Sequence, residues 1–173
     1  MDEKLLNLII IQTRDIGPGF QLANRAATLD CEILELSIMG KGALVILSTG
    51  ENDPELIRSK IGDRDALIST HKNLPGSIFD AYLSVNEPGK LSSDLVIFEG
   101  PFLGHLFEIC QKLPEAKILD IRLMRGSSPK AYLMLSAVDA EVLGGLHSHQ
   151  VMITHITELS STLKSYFEIV PNQ

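Results

Sequence analysis

The sequence predicts an α/β protein made by tandem duplication, in which each half is a ferredoxin-like β-α-β-β-α-β unit with a terminal helix. Two observations predict it. Segments of the first half recur in the same order in the second half, and strand-like and helix-like stretches alternate within each half. We therefore expect two antiparallel sheets, each covered by helices.

The repeat is carried by a collinear series of matched segments. The pairs are Ile33–Met39 with Ile118–Met124, Ala43–Ser48 with Ala131–Ser136, Thr70-His71 with Thr154-His155, and Tyr82-Leu83 with Tyr166-Phe167. One apolar match could arise by chance, but several in one order indicate duplication. The polar, turn-rich stretch Asn86–Ser93 then predicts a boundary, with domains at residues 1–88 and 89–173.

The first half begins with the apolar run Leu5–Gln12, which predicts a buried strand ended by Gly17-Pro18-Gly19. Small residues at helical spacing follow, up to Ala27. Strands are predicted at Ile33–Ile38 and Ala43–Leu47, on either side of the turn Gly40-Lys41-Gly42. Asp53 and Pro54 then form a helix start, as cap and first helical residue. The last expected elements are a helix at Glu55–Ile61, a strand at Ala66–Thr70 and a helix at Ser77–Leu83.

The second half shows the same order of elements. Strands are predicted at Leu95–Glu99, Lys117–Met124, Lys130–Ser136 and Val151–Thr157, and helices at Leu103–Leu113, Ala140–His149 and Ser160–Phe167.

Composition narrows the function classes. The chain has 173 residues, a net charge of −7 and 45% hydrophobic residues, which predicts a soluble globular protein. The acidic balance argues against nucleic acid and anionic membranes as partners. The acidic N-terminus does not resemble a secretory signal. Cys31 and Cys110 lie in apolar periodic segments, so we expect buried free thiols and a cytoplasmic location.

No residue pattern predicts an enzyme or a cofactor. His147 and His149 do not share a helix face, and no Cys or carboxylate stands near them or His155 at metal-ligand spacing. We therefore expect no metal, and the role of these three histidines stays open. The acids Glu99, Glu108, Asp120, Asp139 and Glu141 form no recognisable catalytic pair. The loop Gly17-Pro18-Gly19 lacks the spacing of a phosphate-binding motif.

The strand-to-strand turns are more informative, since each places a cation beside glycine. The two turns are Gly40-Lys41-Gly42 and Arg125-Gly126-Ser127-Ser128-Pro129. Together with Gln12-Thr13-Arg14, Gly50 and the ends of the closing strands, at His71 and His155, they form a series that resembles the bacterial microcompartment shell domain. Glu99-Gly100 restores the acid and glycine of the family's opening strand in the second half.

The resemblance implies a non-enzymatic structural protein of the tandem type. Such proteins form homotrimers that mimic a hexamer, and they associate with other shell proteins inside a bacterial microcompartment. The family's pore is lined by the hairpin turns, which carries over to Gly40, Lys41, Gly42, Arg125, Gly126 and Ser127. A ring of Lys41 and Arg125 would favour small anionic metabolites. The family's lateral-assembly lysine corresponds to Ala27 in the first half and to Lys112 in the second, so tiling into a sheet stays open.

Two other function classes stay open from the sequence. A tandem ACT-type module has the same order of strands and helices, and would bind a small regulatory molecule. An enzyme on this scaffold is the third hypothesis, because fold does not fix function.

Overall fold

The computed structural model describes residues 3–62, 65–85, 90–92, 94–126, 128–146 and 150–169. The chain divides into two compact units. Unit 1 comprises Met1–Gly76 and Arg125–Pro129, and unit 2 comprises Ser77–Met124 and Lys130–Gln173. Each unit therefore contains a segment that the repeat assigns to the other half. The predicted repeat boundary at residue 88 is a separate matter and stays a prediction.

Unit 1 holds a four-stranded antiparallel sheet in the order β2-β3-β1-β4. Its elements are β1 (Leu5–Thr13), α1 (Ile16–Ala27), β2 (Glu32–Met39), β3 (Gly42–Ser48), α2 (Pro54–Ile61) and β4 (Ala66–Pro75). The strand order and the β-α-β-β-α-β sequence confirm the ferredoxin-like unit. As expected, Asp53 caps α2, since its Oδ1 accepts a hydrogen bond from the Glu55 N–H at 3.1 Å.

Unit 2 repeats this topology in the order β6-β7-β5-β8, again with antiparallel pairing. Its elements are α3 (Gly76–Tyr82), β5 (Leu95–Gly100), α4 (Leu103–Lys112), β6 (Lys117–Met124), β7 (Lys130–Ser136), α5 (Ala140–Leu143), β8 (Met152–Ile156) and α6 (Ser161–Ile169). The tandem duplication is thus confirmed at the level of the sheets. None of the helices in the described part of the chain is long and apolar enough to span a membrane.

Strand register shows which residues of the two halves are equivalent. Thr13 pairs with Ala43, and Gly100 pairs with Ala131, which matches the sequence alignment. The closing strands differ by one residue, because Ile9 pairs with Thr70 whereas its counterpart Val96 pairs with His155. His155 is therefore equivalent to Thr70 and not to His71, and a one-residue slip puts the two histidines on opposite faces.

The two sheets differ in how deeply the far face is buried. The far face is the one that points away from α1 and α2 in unit 1, and the equivalent face in unit 2. In unit 1, Ile9, Ile11, Val45 and Leu47 pack with apolar residues of α1 and α2. On the opposite face Ile10 and Ile46 are also fully buried. In unit 2 the equivalent far-face residues, Ile97 and Met134, are half-buried. The first sheet is thus buried on both faces at its centre, and the second mainly on one.

Two helices differ from the sequence prediction. Helix α1 begins at Ile16, so Gly17-Pro18-Gly19 forms its first turn; proline fits there because the first N–H groups of a helix have no partner within it. Helix α5 ends at Leu143 and continues only as a 3₁₀ turn, Gly144–Leu146, because paired glycines disfavour an α-helix. His147 and His149, predicted at its end, lie outside the described residues.

Candidate functional site

The first strand-to-strand turn is a two-residue hairpin. Met39 pairs with Gly42, so Gly40 and Lys41 alone form the turn and Gly42 is the first residue of β3. Gly40 has a φ of 57°, and Lys41 does not have a positive φ. A positive φ at the first central position alone is typical of a type II′ turn, which explains the glycine there. Lys41 is exposed at the tip.

Gly42 is required by a close approach of two backbones. A Cβ built at Gly42 would lie 1.9 Å from the carbonyl oxygen of Thr13. Gly19 has a similar role, since its Cβ would lie 2.5 Å from the Cβ of Ala43. The end of β1, the first turns of α1 and the start of β3 therefore meet without room for side chains. This junction fixes the position of the Lys41 turn.

The second turn is longer and is built differently. Met124 pairs with Lys130, which leaves Arg125–Pro129 as the loop. Gly126 is exposed, and Ser127 lies outside the described residues. Lys130 stands where the first half has Gly42, and its Nζ lies 2.6 Å from Oε1 of Glu99. Lys130, at the start of β7, is thus neutralised by Glu99, and the first half has no acid at that position.

Arg125 belongs to unit 1 and forms a hydrogen bond with another residue of that unit, Glu35. Its Nη2 donates to Oε1 of Glu35 at 3.2 Å, and Ser37 Oγ donates to the same oxygen at 2.9 Å. The Glu35 side chain is 16% exposed and that of Arg125 is 60% exposed. The positive charge predicted at Arg125 is therefore compensated, whereas the Lys41 turn carries an exposed cation.

A second carboxylate occupies the position equivalent to Glu35. Asp120 pairs with Met134 as Glu35 pairs with Ile46, and both acids lie in the matched segments. Asp120 accepts from Arg122 Nε at 3.0 Å and from Tyr132 OH at 2.8 Å. Burial, with the Asp120 hydrogen bond second, raises the pKa of Tyr132 to about 12, and the Asp120 hydrogen bond raises the pKa of Arg122.

The Glu35 and Asp120 positions were not predicted as site residues. One signal was available, because an acid recurs at the same place in both copies of the repeat. Their contacts depend on cross-strand pairing and on a loop 90 positions away in the chain. Neither relation is visible in local sequence.

Lys112, predicted at a lateral edge, is the last residue of α4 and is exposed. Ala27 ends α1 in the same way and is also exposed. The structure thus places the two residues at corresponding helix ends. Whether either meets a neighbouring chain stays a prediction.

An acid–histidine pair lies at the opposite end of the second sheet. His155 Nε2 lies 3.3 Å from Asp94 Oδ2. Asp94 also accepts from the Ala137 and Val138 N–H groups at 2.7 and 3.3 Å, and its main-chain oxygen accepts from Ser136 Oγ at 2.7 Å. Among the described residues Ser136 does not bond to His155, so the three do not form a nucleophile–base–acid relay.

The two cysteines and His71 are buried side chains. Cys31 and Cys110 are buried free thiols, as expected, and burial raises the pKa of both, to about 12 for Cys110. The described residues contain no group of three or more His, Cys, Asp or Glu that could hold a metal ion. His71, which the repeat match singled out, is buried with its Nε2 2.8 Å from Ser69 Oγ.

Unit 1 also has an open cavity between α2 and β4. It measures about 290 Å³ and is lined by Glu55, Arg58, Ser59, Gly62, Ala66 and Ile68. Ligand pockets usually start near 300 Å³ and enclose most of the ligand, so this cavity is at the lower limit.

Comparison with known proteins identifies the fold. No protein-family model matches the chain, and no curated protein does. A solved microcompartments protein from Desulfitobacterium hafniense DCB matches 94% of this chain and 99% of its own, with a TM-score of 0.66 and 15% identity. A putative glycine cleavage system transcriptional repressor matches with a TM-score of 0.28 and 12% identity, over 89% of this chain and 98% of its own. An unknown protein from Galdieria sulphuraria matches with a TM-score of 0.33 and 15% identity, over 88% of this chain and 98% of its own. Only the first supports a shared fold, which is that of a microcompartment protein over nearly the whole chain.

Proposed function

We propose that this chain is a non-enzymatic structural protein of the tandem shell type, which forms a trimeric, pseudo-hexameric ring around a small polar pore. The observation that carries the proposal is the fold match to a microcompartments protein over nearly all of both chains. The duplication supports it, since three chains of two similar units give six similar positions around a ring.

In this proposal the pore is bordered by the strand-to-strand turns. Gly40 and Lys41 form a tight, exposed two-residue tip, which suits a narrow opening. Gly42, Arg125, Gly126 and Ser127 belong to the same border. Because Glu35 compensates Arg125, a threefold ring of Lys41 supplies the positive charge. Small anionic metabolites are the class of solute that such a ring favours. The proposed location is a bacterial microcompartment in the cytoplasm.

The structure offers a reason to prefer this role to catalysis. The Asp94–His155 pair is the arrangement nearest to acid–base chemistry. The carboxylate oxygens of Asp94, however, accept hydrogen bonds from the N–H groups of the turn after β7. A carboxylate used in this way holds a turn in place. We therefore treat the pair as structural.

Oligomeric state tests the proposal most directly. Native mass spectrometry at micromolar concentration is expected to show a particle of three 19.0-kDa chains. A monomer would contradict the proposal. If a monomer were stabilised by amino acids or nucleotides in a thermal-shift screen, the ACT-type alternative would replace it, with the α2–β4 cavity as the first place to look.

The pore charge needs its own test. In the trimer, Lys41→Ala is expected to reduce the line broadening of chloride-35 in NMR, because the cation ring that attracts the ion is lost. Lys60→Ala is the matched control, since Lys60 is also an exposed lysine but lies on α2. Equal effects of the two substitutions would contradict a charged pore at Lys41.

A further inference from the structure

The two compact units do not coincide with the two copies of the repeat. Unit 2 begins at Ser77, so it includes most of α3, which ends the first copy. Unit 1 includes Arg125–Pro129, the loop of the second copy. The copies thus exchange two segments, a terminal helix in one direction and a loop in the other.

In the first exchange, helix α3 of the first copy covers helix α4 of the second copy. Tyr82 of α3 meets Phe107 of α4 edge to face, with ring centroids 5.9 Å apart, and Phe79 stacks on Tyr82 at 6.2 Å. Phe79 and Ile78 are buried. Six of the ten residues of α4 are buried as well: Leu103, Gly104, Leu106, Phe107, Ile109 and Cys110.

The equivalent helix in unit 1, α1, keeps apolar residues exposed. In α1 the buried residues are Gly19, Leu22, Ala23 and Ala26, which face the sheet and α2. Ile16 and Phe20 are 37% and 45% exposed. They lie four residues apart and therefore share one face of the helix. This face is the apolar surface of α1 that remains in contact with solvent.

The counterpart of α3 is α6, which ends the second copy. Ser160 Oγ accepts from the Leu163 N–H at 3.2 Å and so caps the helix. None of the α6 side chains that the structure describes is buried, and Leu163, which matches the buried Phe79, is half-buried. The chain therefore carries a second helix of the covering type, whose described side chains are less buried than Ile78 and Phe79 of α3.

The second exchange concerns the strand-to-strand loops. Arg125, from the loop of the second copy, bonds to Glu35 on β2 of the first. The residue that corresponds to Arg125 is Lys41, at the exposed turn of the first copy. The residue that corresponds to Glu35 is Asp120. Asp120 is instead bonded to Arg122 and Tyr132 of its own sheet, which leaves Lys41 to the proposed pore.

We infer that the helix exchange continues between chains: α6 of one chain packs on the Ile16–Phe20 face of α1 in a second chain. The interface is heterologous, so it repeats from chain to chain, and with a rotation of one third of a turn it closes into the proposed ring. The inference rests on the proposed ring, to which it adds the surfaces that hold the ring together.

Charge placed in the apolar contact tests the inference. Phe20→Glu and Leu163→Glu are each expected to raise the chain–chain dissociation constant at least 10-fold and to shift the native mass spectrum toward monomer. Val142→Glu is the control, because Val142 is 42% exposed on α5, outside the proposed contact. Circular dichroism checks that each variant stays folded, which the exposure of Phe20 leads us to expect.

A disulfide trap gives an independent readout. Phe20→Cys with Leu163→Cys is expected to oxidise to covalent dimers and trimers on a non-reducing gel, and Val142→Cys with Leu163→Cys is not. A crosslink within one chain would overturn the inference. So would a wild-type trimer that both glutamate variants leave intact, although the proposed function would survive. A wild-type dimer with the expected crosslinks would sustain the α6–α1 contact and overturn the trimer, and a wild-type monomer would overturn both.

Discussion

The two strand-to-strand turns start from equivalent pairs of residues and reach different solutions. At the position where the first copy has Gly42 packed against the Thr13 carbonyl, the second has Lys130 paired with Glu99. The first turn is two residues long with an exposed lysine, and the second is a five-residue loop whose arginine is paired with Glu35. Tight backbone contact fixes one tip, and electrostatic contact fixes the other. Duplicated copies can thus keep one sheet while they diverge where strands are joined.

Gly42→Ala is the largest test of this contrast. The added methyl group would meet the Thr13 carbonyl oxygen, so we expect a loss of about 3 kcal/mol in the free energy of unfolding, at the upper end of overpacking costs. Urea denaturation followed by circular dichroism measures it. Lys130→Ala, at the equivalent position, should cost below about 1 kcal/mol, because it removes only a half-exposed ion pair. Similar losses in both variants would break the comparison.

The starts of the central strands offer a second contrast. Asp94→Ala removes a carboxylate that accepts part-buried hydrogen bonds from the Ala137 and Val138 N–H groups, which should cost about 1–3 kcal/mol because hydrogen bonds to charged groups are stronger than neutral ones. The equivalent Asn7 makes exposed bonds to Gly50 and Asn73, so Asn7→Ala should cost less, about 0.5–1.5 kcal/mol. Thermal denaturation of the two variants compares them. A larger loss for Asn7→Ala would show that the carboxylate is not the stronger anchor.

Tyr132 distinguishes the far face of the second sheet, because the first copy has Leu44 at this position. Among the three tyrosines, ultraviolet titration should show one phenol ionising near pH 12. Tyr132→Phe should remove that transition alone. The folded pKa lies above the unfolded value of about 10, so the folded state holds the proton longer and stability falls as the pH rises from about 10 to about 12. Three phenols titrating together near pH 10 would contradict the burial of Tyr132.

Arg125→Ala is expected to have the smallest effect. Its partner Glu35 is mostly buried, but the guanidinium is 60% exposed, so the loss of unfolding free energy should stay below about 1 kcal/mol. The substitution should matter more for charge, since it removes the cation paired with Glu35 beside the proposed pore. A chloride signal unchanged from the wild type would place Arg125 and Glu35 away from the ions.

Much of the fold could be predicted from sequence, because apolar periodicity reports directly on strands and helices. The collinear pairs, such as Ile33–Met39 with Ile118–Met124, also predicted the duplication. The closing strands show the limit, since Thr-His recurs in both copies although the second histidine is shifted by one position in register. Register depends on the whole sheet, so a dipeptide match could not establish it.

The candidate site was predicted less completely than the fold. The Gly40-Lys41 turn was recognisable, since glycine and a short polar tip between two apolar runs are typical of a hairpin. The pairing of Arg125 with Glu35 was not, because contacts between residues 90 positions apart leave no local pattern. The same holds for Asp94, whose role follows from the turn after β7.

The loop Arg125–Pro129 has a consequence for synthesis of the chain. The first compact unit includes this loop, so its final contacts wait until the ribosome has released about half of the second copy. Its sheet can form early, because β1 to β4 are complete at Pro75. The Glu35 carboxylate then stays exposed to water until Arg125 emerges, and only afterwards can the half that is made first reach its final form. Completion of the N-terminal half during translation is therefore tied to the C-terminal half.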